Sequence, residues 1–261
     1  MTGRVFYLHG GPGFSTVFER ERFPDARHVH WWQQPPAAPR SMRPYQDLQD
    51  AALDEFGRFV SAHAAPQPVT VLASSFGAQL ALHLARHAPQ SIGRIVLLAP
   101  TWNPELSLLR LARRVLARPV LALRASHALT KALAAHARTP DRTRFWDVMA
   151  ALWQIPDVPL MYFAPEAEQA AQRFLQLLAQ PGNFDARSSA AISDDFAALG
   201  SEPVRHSFAG PVSILFGAHD PLAAPATDGP IWRTIFPQAE LRMAPSGHFP
   251  LLEGSLEDCL K

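Results

Sequence analysis

The sequence predicts an α/β fold in which a mostly parallel sheet carries helices on both faces and is interrupted by a long helical segment. Three observations predict it. Short apolar, β-branched runs alternate with amphipathic helical stretches through the first hundred residues and again from Val212 to the end. Between Trp102 and about Arg205 the strand signal vanishes and the chain becomes alanine- and leucine-rich, helical and punctuated by proline. At residues 70–77, reading T-V-L-A-S-S-F-G, a serine sits on the turn between a buried strand and a helix.

Taken in order, Val5 to Leu8 is a short strand that runs straight into H-G-G-P-G, residues 9–13. Arg27 to Trp32 reads as the next strand, ending in the pair Trp31-Trp32 and followed by the proline-rich stretch Gln33 to Arg40. Tyr45 to His63 is an amphipathic helix, with Leu48, Ala52, Phe56 and Phe59 or Val60 on one face. Pro66 and Pro68 close it ahead of the strand Thr70 to Ala73. Phe76 to His87 then has helical periodicity through Phe76, Leu80 and Leu84, and Ile92 to Ala99 is a further buried strand closed by Pro100. After the helical segment come the strand Val212 to Gly217, the helix Ala226 to Phe236, the strand Ala239 to Met243 and a short closing helix from Leu251 to Leu260.

The candidate chemistry sits at the ends of these strands. Ser75 occupies the strand-to-helix turn, where Ala73 and Gly77 supply the small flanking residues that a tightly bent backbone needs. Asp220 follows one later strand in G-A-H-D-P, and His248 follows another in P-S-G-H-F-P. A serine hydroxyl is a weak nucleophile near neutral pH and must lose its proton to a base as it attacks. His248 is the candidate base and Asp220 the acid that would hold its imidazole in the productive tautomer. Asp228 and Asp194 are rival acids, and His206 and His219 are rival bases without the same setting. Ser74 is expected to point away from the site, and His9 is read as a structural residue that fixes the H-G-G-P-G turn.

With the order Ser, Asp, His, the A-x-S-x-G turn and the upstream H-G-G-P-G, the sequence resembles the α/β-hydrolase family. The H-G-G-P-G segment is similar to that of the proline iminopeptidases and related esterases. The resemblance implies a core of residues 1–101 and 206–261, with a sheet of about six strands, and a helical cap at 102–205. It implies an oxyanion hole from the backbone N–H groups of Gly11 and Phe76. The family usually begins with one or two further strands, which this chain is expected to lack ahead of His9; the exposed sheet edge leaves monomer and dimer both open. Hydrolysis of a small-molecule carboxylic ester or thioester through an acyl-enzyme is the leading expectation. Cleavage of an N-terminal proline is an alternative, with Glu166 and Glu168 as candidate carboxylates for the substrate amine. Non-hydrolytic acyl transfer, lyase or cyclase chemistry at the same site is another.

Trp31, Trp102, Trp146, Trp153 and Phe249 are candidate walls of the substrate pocket. The first half of the cap segment is rich in arginine, including Arg113, Arg114 and Arg118, and Leu108 to Arg124 could form a basic amphipathic helix. An acidic acyl carrier protein presenting a thioester is a candidate partner there. At 261 residues, 48% hydrophobic and a formal net charge of +1, the chain gives no bulk electrostatic case for nucleic acid. It shows no membrane-spanning run, and its start leaves no room for a signal peptide, so a cytoplasmic location is expected. The single cysteine, Cys259, cannot form an internal disulfide and reads as a packing residue. No metal or other cofactor is implied.

Overall fold

The computed structural model describes residues 4–62, 68–118, 123–200 and 206–261. Pro66, the side chain of Arg124, the junction that would continue the basic helix from Leu108 to Arg124, and the boundary at Arg205 lie outside the described residues. Six strands form one parallel sheet: β1 (Val5–Leu8), β2 (Val29–Trp32), β3 (Val69–Ser74), β4 (Ile92–Leu98), β5 (Val212–Gly217) and β6 (Glu240–Ala244), in the order β2-β1-β3-β4-β5-β6. The inner strands β1 and β5 are buried along their whole length, as strands in a sheet covered by helices on both faces are. The outer strand β6 keeps exposed positions.

Helices α1 (Val17–Arg22), α2 (Pro44–Ser61) and α3 (Gly77–His87) connect the first four strands. The insertion between β4 and β5 is helical: α4 (Pro104–Leu116), α5 (Leu123–Arg138), α6 (Arg142–Trp153), α7 (Glu168–Leu178) and α8 (Ala186–Leu199). Helix α9 (Pro225–Ile235) joins β5 to β6, and α10 (Pro250–Glu253) and α11 (Leu256–Leu260) close the chain as two short helices. Polar caps set several starts in the insertion: Asn103 accepts from the Leu106 N–H, Asp141 from Arg144, and Asp185 from Arg187 and Ser188.

The sheet's two faces bury separate cores. One packs Phe6, Leu8, Ala73, Leu97, Ile214 and Phe216 against α2, α3 and α9. The other packs Val5, Tyr7, Leu72, Val96 and Leu215 against Leu251 and Cys259. Burial pushes the Cys259 thiol up to about 12, in keeping with a packing role. The insertion has a core of its own in which Leu109, Val115, Phe145, Met149 and Leu152 meet Leu222 of the β5–α9 connection. Among the described residues no helix is long and apolar enough to cross a membrane.

Close backbone approaches bring the strand ends together. A methyl group on Gly77 would lie 2.4 Å from the Leu8 carbonyl oxygen, and one on Gly217 would lie 1.9 Å from that of Gly247. Gly57, on the exposed face of α2, has open space around it. Gly217→Ala is therefore expected to lower the unfolding free energy by about 2 kcal/mol or more, because backbone must move to admit the methyl. Gly57→Ala is expected to raise it by about 0.5 to 1 kcal/mol through helix propensity. Urea unfolding of the two variants beside the parent protein checks the sign of each.

Candidate active site

Residue Ser75 follows β3 with a φ of 50°, a left-handed conformation that an L-residue adopts at a cost. Its N–H donates to the Leu98 carbonyl at 2.8 Å, and its own carbonyl accepts from Ala78 at 3.1 Å, so the turn is held on both sides. Gly10 passes so close that a methyl there would meet the Ser75 Cβ at 3.0 Å. Gly11 and Gly13 take φ values of 56° and 86°, which the H-G-G-P-G turn requires and glycine permits.

The structure brings Ser75, His248 and Asp220 together. His248 Nε2 lies 2.8 Å from Ser75 Oγ, and its Nδ1 lies 2.9 Å from Asp220 Oδ2. Asp220 Oδ1 accepts from the N–H groups of Leu222 at 2.7 Å and Ala223 at 3.1 Å. Both oxygens of that buried carboxylate are thus occupied, and Nδ1 is the ring nitrogen that carries the hydrogen, which leaves Nε2 to accept from the serine. The histidine loop is fixed from two directions. The His248 N–H donates to the Tyr162 carbonyl at 2.6 Å, and Glu253 accepts from the N–H groups of Gly247 and Ala164.

The rivals are engaged elsewhere. Asp228 pairs with Arg110 and caps α9 through Ala224; Asp194 accepts from Arg142 and from the Trp146 indole. His206 bonds to the Leu82 carbonyl, and His219 is exposed. His9 is buried, its Nδ1 donating to the Gly10 carbonyl and its Nε2 accepting from Gln34; burial depresses its pKa to about 4, so the ring is neutral at ordinary pH.

A cavity of about 610 Å³ opens over Ser75 and His248. Gly11, Phe76, Trp146, Trp153 and Phe249 all line it. Two expected wall residues do not. Trp31 packs under the sheet, stacked on Phe23 at 6.2 Å and edge-on to Tyr7 at 5.0 Å, because strand alternation directs it to the face opposite Trp32. Trp102 turns sideways onto α9, edge-on to Trp232 at 5.8 Å, while its neighbours Thr101 and Asn103 reach the cavity. Glu166 and Glu168 are exposed and outside the cavity lining. Among the described residues no group of three or more His, Cys, Asp or Glu side chains is placed to hold a metal ion.

Sequence reasoning missed one group. Glu19, on α1, is buried in the cavity wall; the Tyr7 hydroxyl donates to its Oε1 at 2.7 Å and lies 3.1 Å from Ser74 Oγ. Ser74 therefore turns toward Tyr7 yet still borders the cavity. Burial raises the Glu19 carboxyl to about 7 against the Tyr7 hydrogen bond, which lowers it.

The chain belongs to the α/β-hydrolase family: the model for the alpha/beta hydrolase fold matches residues 3–255. None of the curated proteins matches the sequence. Among solved structures, the proline iminopeptidase-related protein of Thermus thermophilus superposes with a TM-score of 0.63 at 18% identity, over 99% of this chain and 86% of that one. Proline iminopeptidase of Mycobacterium smegmatis gives a TM-score of 0.57 at 19% identity, over 99% and 87%. The 2-hydroxy-6-oxo-6-phenylhexa-2,4-dienoate hydrolase of a Rhodococcus species gives 0.58 at 17%, again over 99% and 87%. At these identities the likeness is one of fold.

Glu19 carries a pH prediction. Its folded pKa of about 7 exceeds the ordinary value of 4.5, so the folded state holds the proton longer than the unfolded one. Its contribution to stability is present below about pH 4.5 and is lost as pH rises through 7. Glu19→Gln should remove that loss. Urea unfolding at pH 5 and pH 8 is expected to show the variant gaining on the parent protein at the higher pH.

Proposed function

We propose that this protein is a serine hydrolase that cleaves a carboxylic ester or thioester through an acyl-enzyme. The observation that carries the reading is the imidazole of His248, hydrogen-bonded at once to Ser75 Oγ and to a fully paired Asp220 at the floor of a largely apolar cavity. In this reading Ser75 attacks the acyl carbon while His248 takes its proton, and Asp220 stabilises the imidazolium that forms. His248 returns the proton to the leaving alcohol or thiol, then activates water to release the acid. Backbone N–H groups of Gly11 and Phe76 meet the oxyanion, each worth about 3 kcal/mol in the transition state. The helical insertion acts as a cap that encloses the acyl group, with Trp146, Trp153 and Phe249 as part of its walls.

The exposed Arg113 and Arg118 on and just after α4 suit an acidic carrier protein delivering a thioester. Arg114 is partly committed, since it donates to the Asp220 carbonyl at 2.9 Å. The double charge reversal Arg113→Glu, Arg118→Glu is expected to lower kcat/KM for a carrier-bound acyl thioester about ten-fold more than for the matching p-nitrophenyl ester. Equal effects on the two substrates would remove the carrier from the proposal.

Turnover of p-nitrophenyl esters of increasing acyl length tests the main reading, with proline p-nitroanilide alongside. The expected outcome is ester hydrolysis with a chain-length optimum, abolished in Ser75→Ala while the thermal midpoint stays within a few degrees. Cleavage of the proline anilide would move the protein to peptidase chemistry. Full activity in Ser75→Ala would end the serine assignment.

A further inference from the structure

The turn that carries His248 lies between the end of β5 and residues 162–164 of the helical insertion. Gly247 is the point of closest approach: a methyl there would lie 2.2 Å from the Tyr162 carbonyl oxygen, and its own carbonyl crowds Gly217. The next residue, His248, donates its N–H to the Tyr162 carbonyl at 2.6 Å. Side chains follow the same path. The Tyr162 ring stands edge-on to the imidazole at 5.7 Å and stacks on Phe249 at 5.7 Å.

Glu253, on α10, spans the two segments. Its Oε2 accepts from the Ala164 N–H at 2.8 Å, and the Gly247 N–H reaches Oε1 at 2.9 Å and Oε2 at 3.0 Å. Burial raises the carboxyl above its ordinary value, while hydrogen bonds from the main chain of Gly247, Ala164 and Phe249 pull it down. Those donors include the residues on either side of His248. A carboxylate is an acceptor at both oxygens, so it serves donors from two segments at once; an amide has a single acceptor oxygen and an apolar side chain none.

We propose that Glu253 is a positioning residue for His248: its carboxylate clamps the histidine turn to residues 162–164, and that clamp keeps the imidazole in line with Asp220 and Ser75. The inference rests on the reading of His248 as the general base. Ring contacts of 2.8 Å to Ser75 Oγ and 2.9 Å to Asp220 Oδ2 leave little room for a shift of the main chain beneath them. A displacement of about 1 Å costs on the order of a hundred-fold in rate. It also removes the acceptor that fixes the hydrogen on Nδ1.

The test reads the ring directly, in Glu253→Leu and Glu253→Gln. Multiple-bond proton–nitrogen correlation spectra report which nitrogen of the neutral imidazole carries the hydrogen, and comparison with His248→Gln identifies the signal. The parent protein is expected to show the Nδ1–H tautomer. Glu253→Leu, with no acceptor, is expected to convert most of His248 to the Nε2–H form, and Glu253→Gln, with one acceptor oxygen, to lie between the two. In parallel, kcat for a p-nitrophenyl ester should fall about ten-fold or more in Glu253→Leu while KM stays within about two-fold. Fluorophosphonate should still label Ser75 to completion in that variant, only more slowly. Thermal unfolding checks that each variant is folded; if Glu253→Leu lacks a cooperative transition, Glu253→Gln decides.

An Nε2–H ring in the parent protein, or an unchanged tautomer or unchanged kcat in the folded variants, would overturn the proposal. So would an activity loss that follows the fraction of Ser75 labelled and not the rate at each site, since that is an effect on stability alone. The two readings fail separately. A parent protein that neither turns over esters nor reacts with fluorophosphonate contradicts the serine hydrolase, while the tautomer of His248 still decides the role of Glu253.

Discussion

Ser75 is held at a φ of 50° by backbone that crowds it from both sides, and the arrangement of the site depends on that turn. A left-handed L-residue costs about 1 to 2 kcal/mol, which the surrounding structure must offset. It does so with the Ser75 N–H bonded to Leu98 on β4 and with two glycines where a side chain would collide: Gly10 against Ser75 itself and Gly77 against the end of β1. The turn lifts the hydroxyl above the sheet, where a histidine from the β6 end can reach it. It also brings the start of α3 against the end of β1, so the H-G-G-P-G segment lies beside Ser75.

Much of this was legible in the sequence because its causes are local. A tight turn needs small residues next to the serine, and a φ near 56° or 86° needs glycine, so both left marks at adjacent positions. The parallel sheet was legible because strands buried on both faces read as unbroken apolar runs. The tryptophans show where that logic ends. Trp31 and Trp32 are neighbours in the chain, yet they pack in different cores, and Trp102 lies one residue from two cavity-lining positions while turning onto α9. Aromatic residues announce burial, not the surface they will be buried against.

The acidic groups divide the same way. Asp220 follows a strand and precedes Pro221, a setting that identifies it locally. Glu19 sits in the charged run F-E-R-E-R-F, where a carboxylate ordinarily faces water. What singles it out is Tyr7 on β1 and Ser74 at the end of β3, and no local pattern links those three positions. The contrast is physical as well. Asp220 is buried with both oxygens engaged and a histidine to receive from, whereas Glu19 is buried with one oxygen bonded and, among the described residues, no cation acting on it. A paired buried carboxylate stabilises a neighbouring charge, whereas burial with a single hydrogen-bond partner holds the Glu19 carboxyl up at about 7.

The helical insertion is tied to the loop that carries Asp220 and to the H-G-G-P-G turn. Arg114 of α4 donates to the main-chain carbonyl of Asp220, and Arg110 pairs with Asp228 at the start of α9. On the other side, the Asp185 N–H at the cap of α8 donates to the Gly13 carbonyl at 2.7 Å, and a methyl on Gly13 would strike the Asp185 carbonyl. One end of the insertion therefore grips the acid loop and the other grips the H-G-G-P-G turn. Residues that shape the cavity and residues that hold the Asp220 loop and the H-G-G-P-G turn are parts of one packed unit. Under the proposed hydrolase reading, substitutions in α4 or α8 act on the position of Asp220 or of the H-G-G-P-G turn as well as on the fit of a substrate, and a change in selectivity arising there carries a change in rate with it.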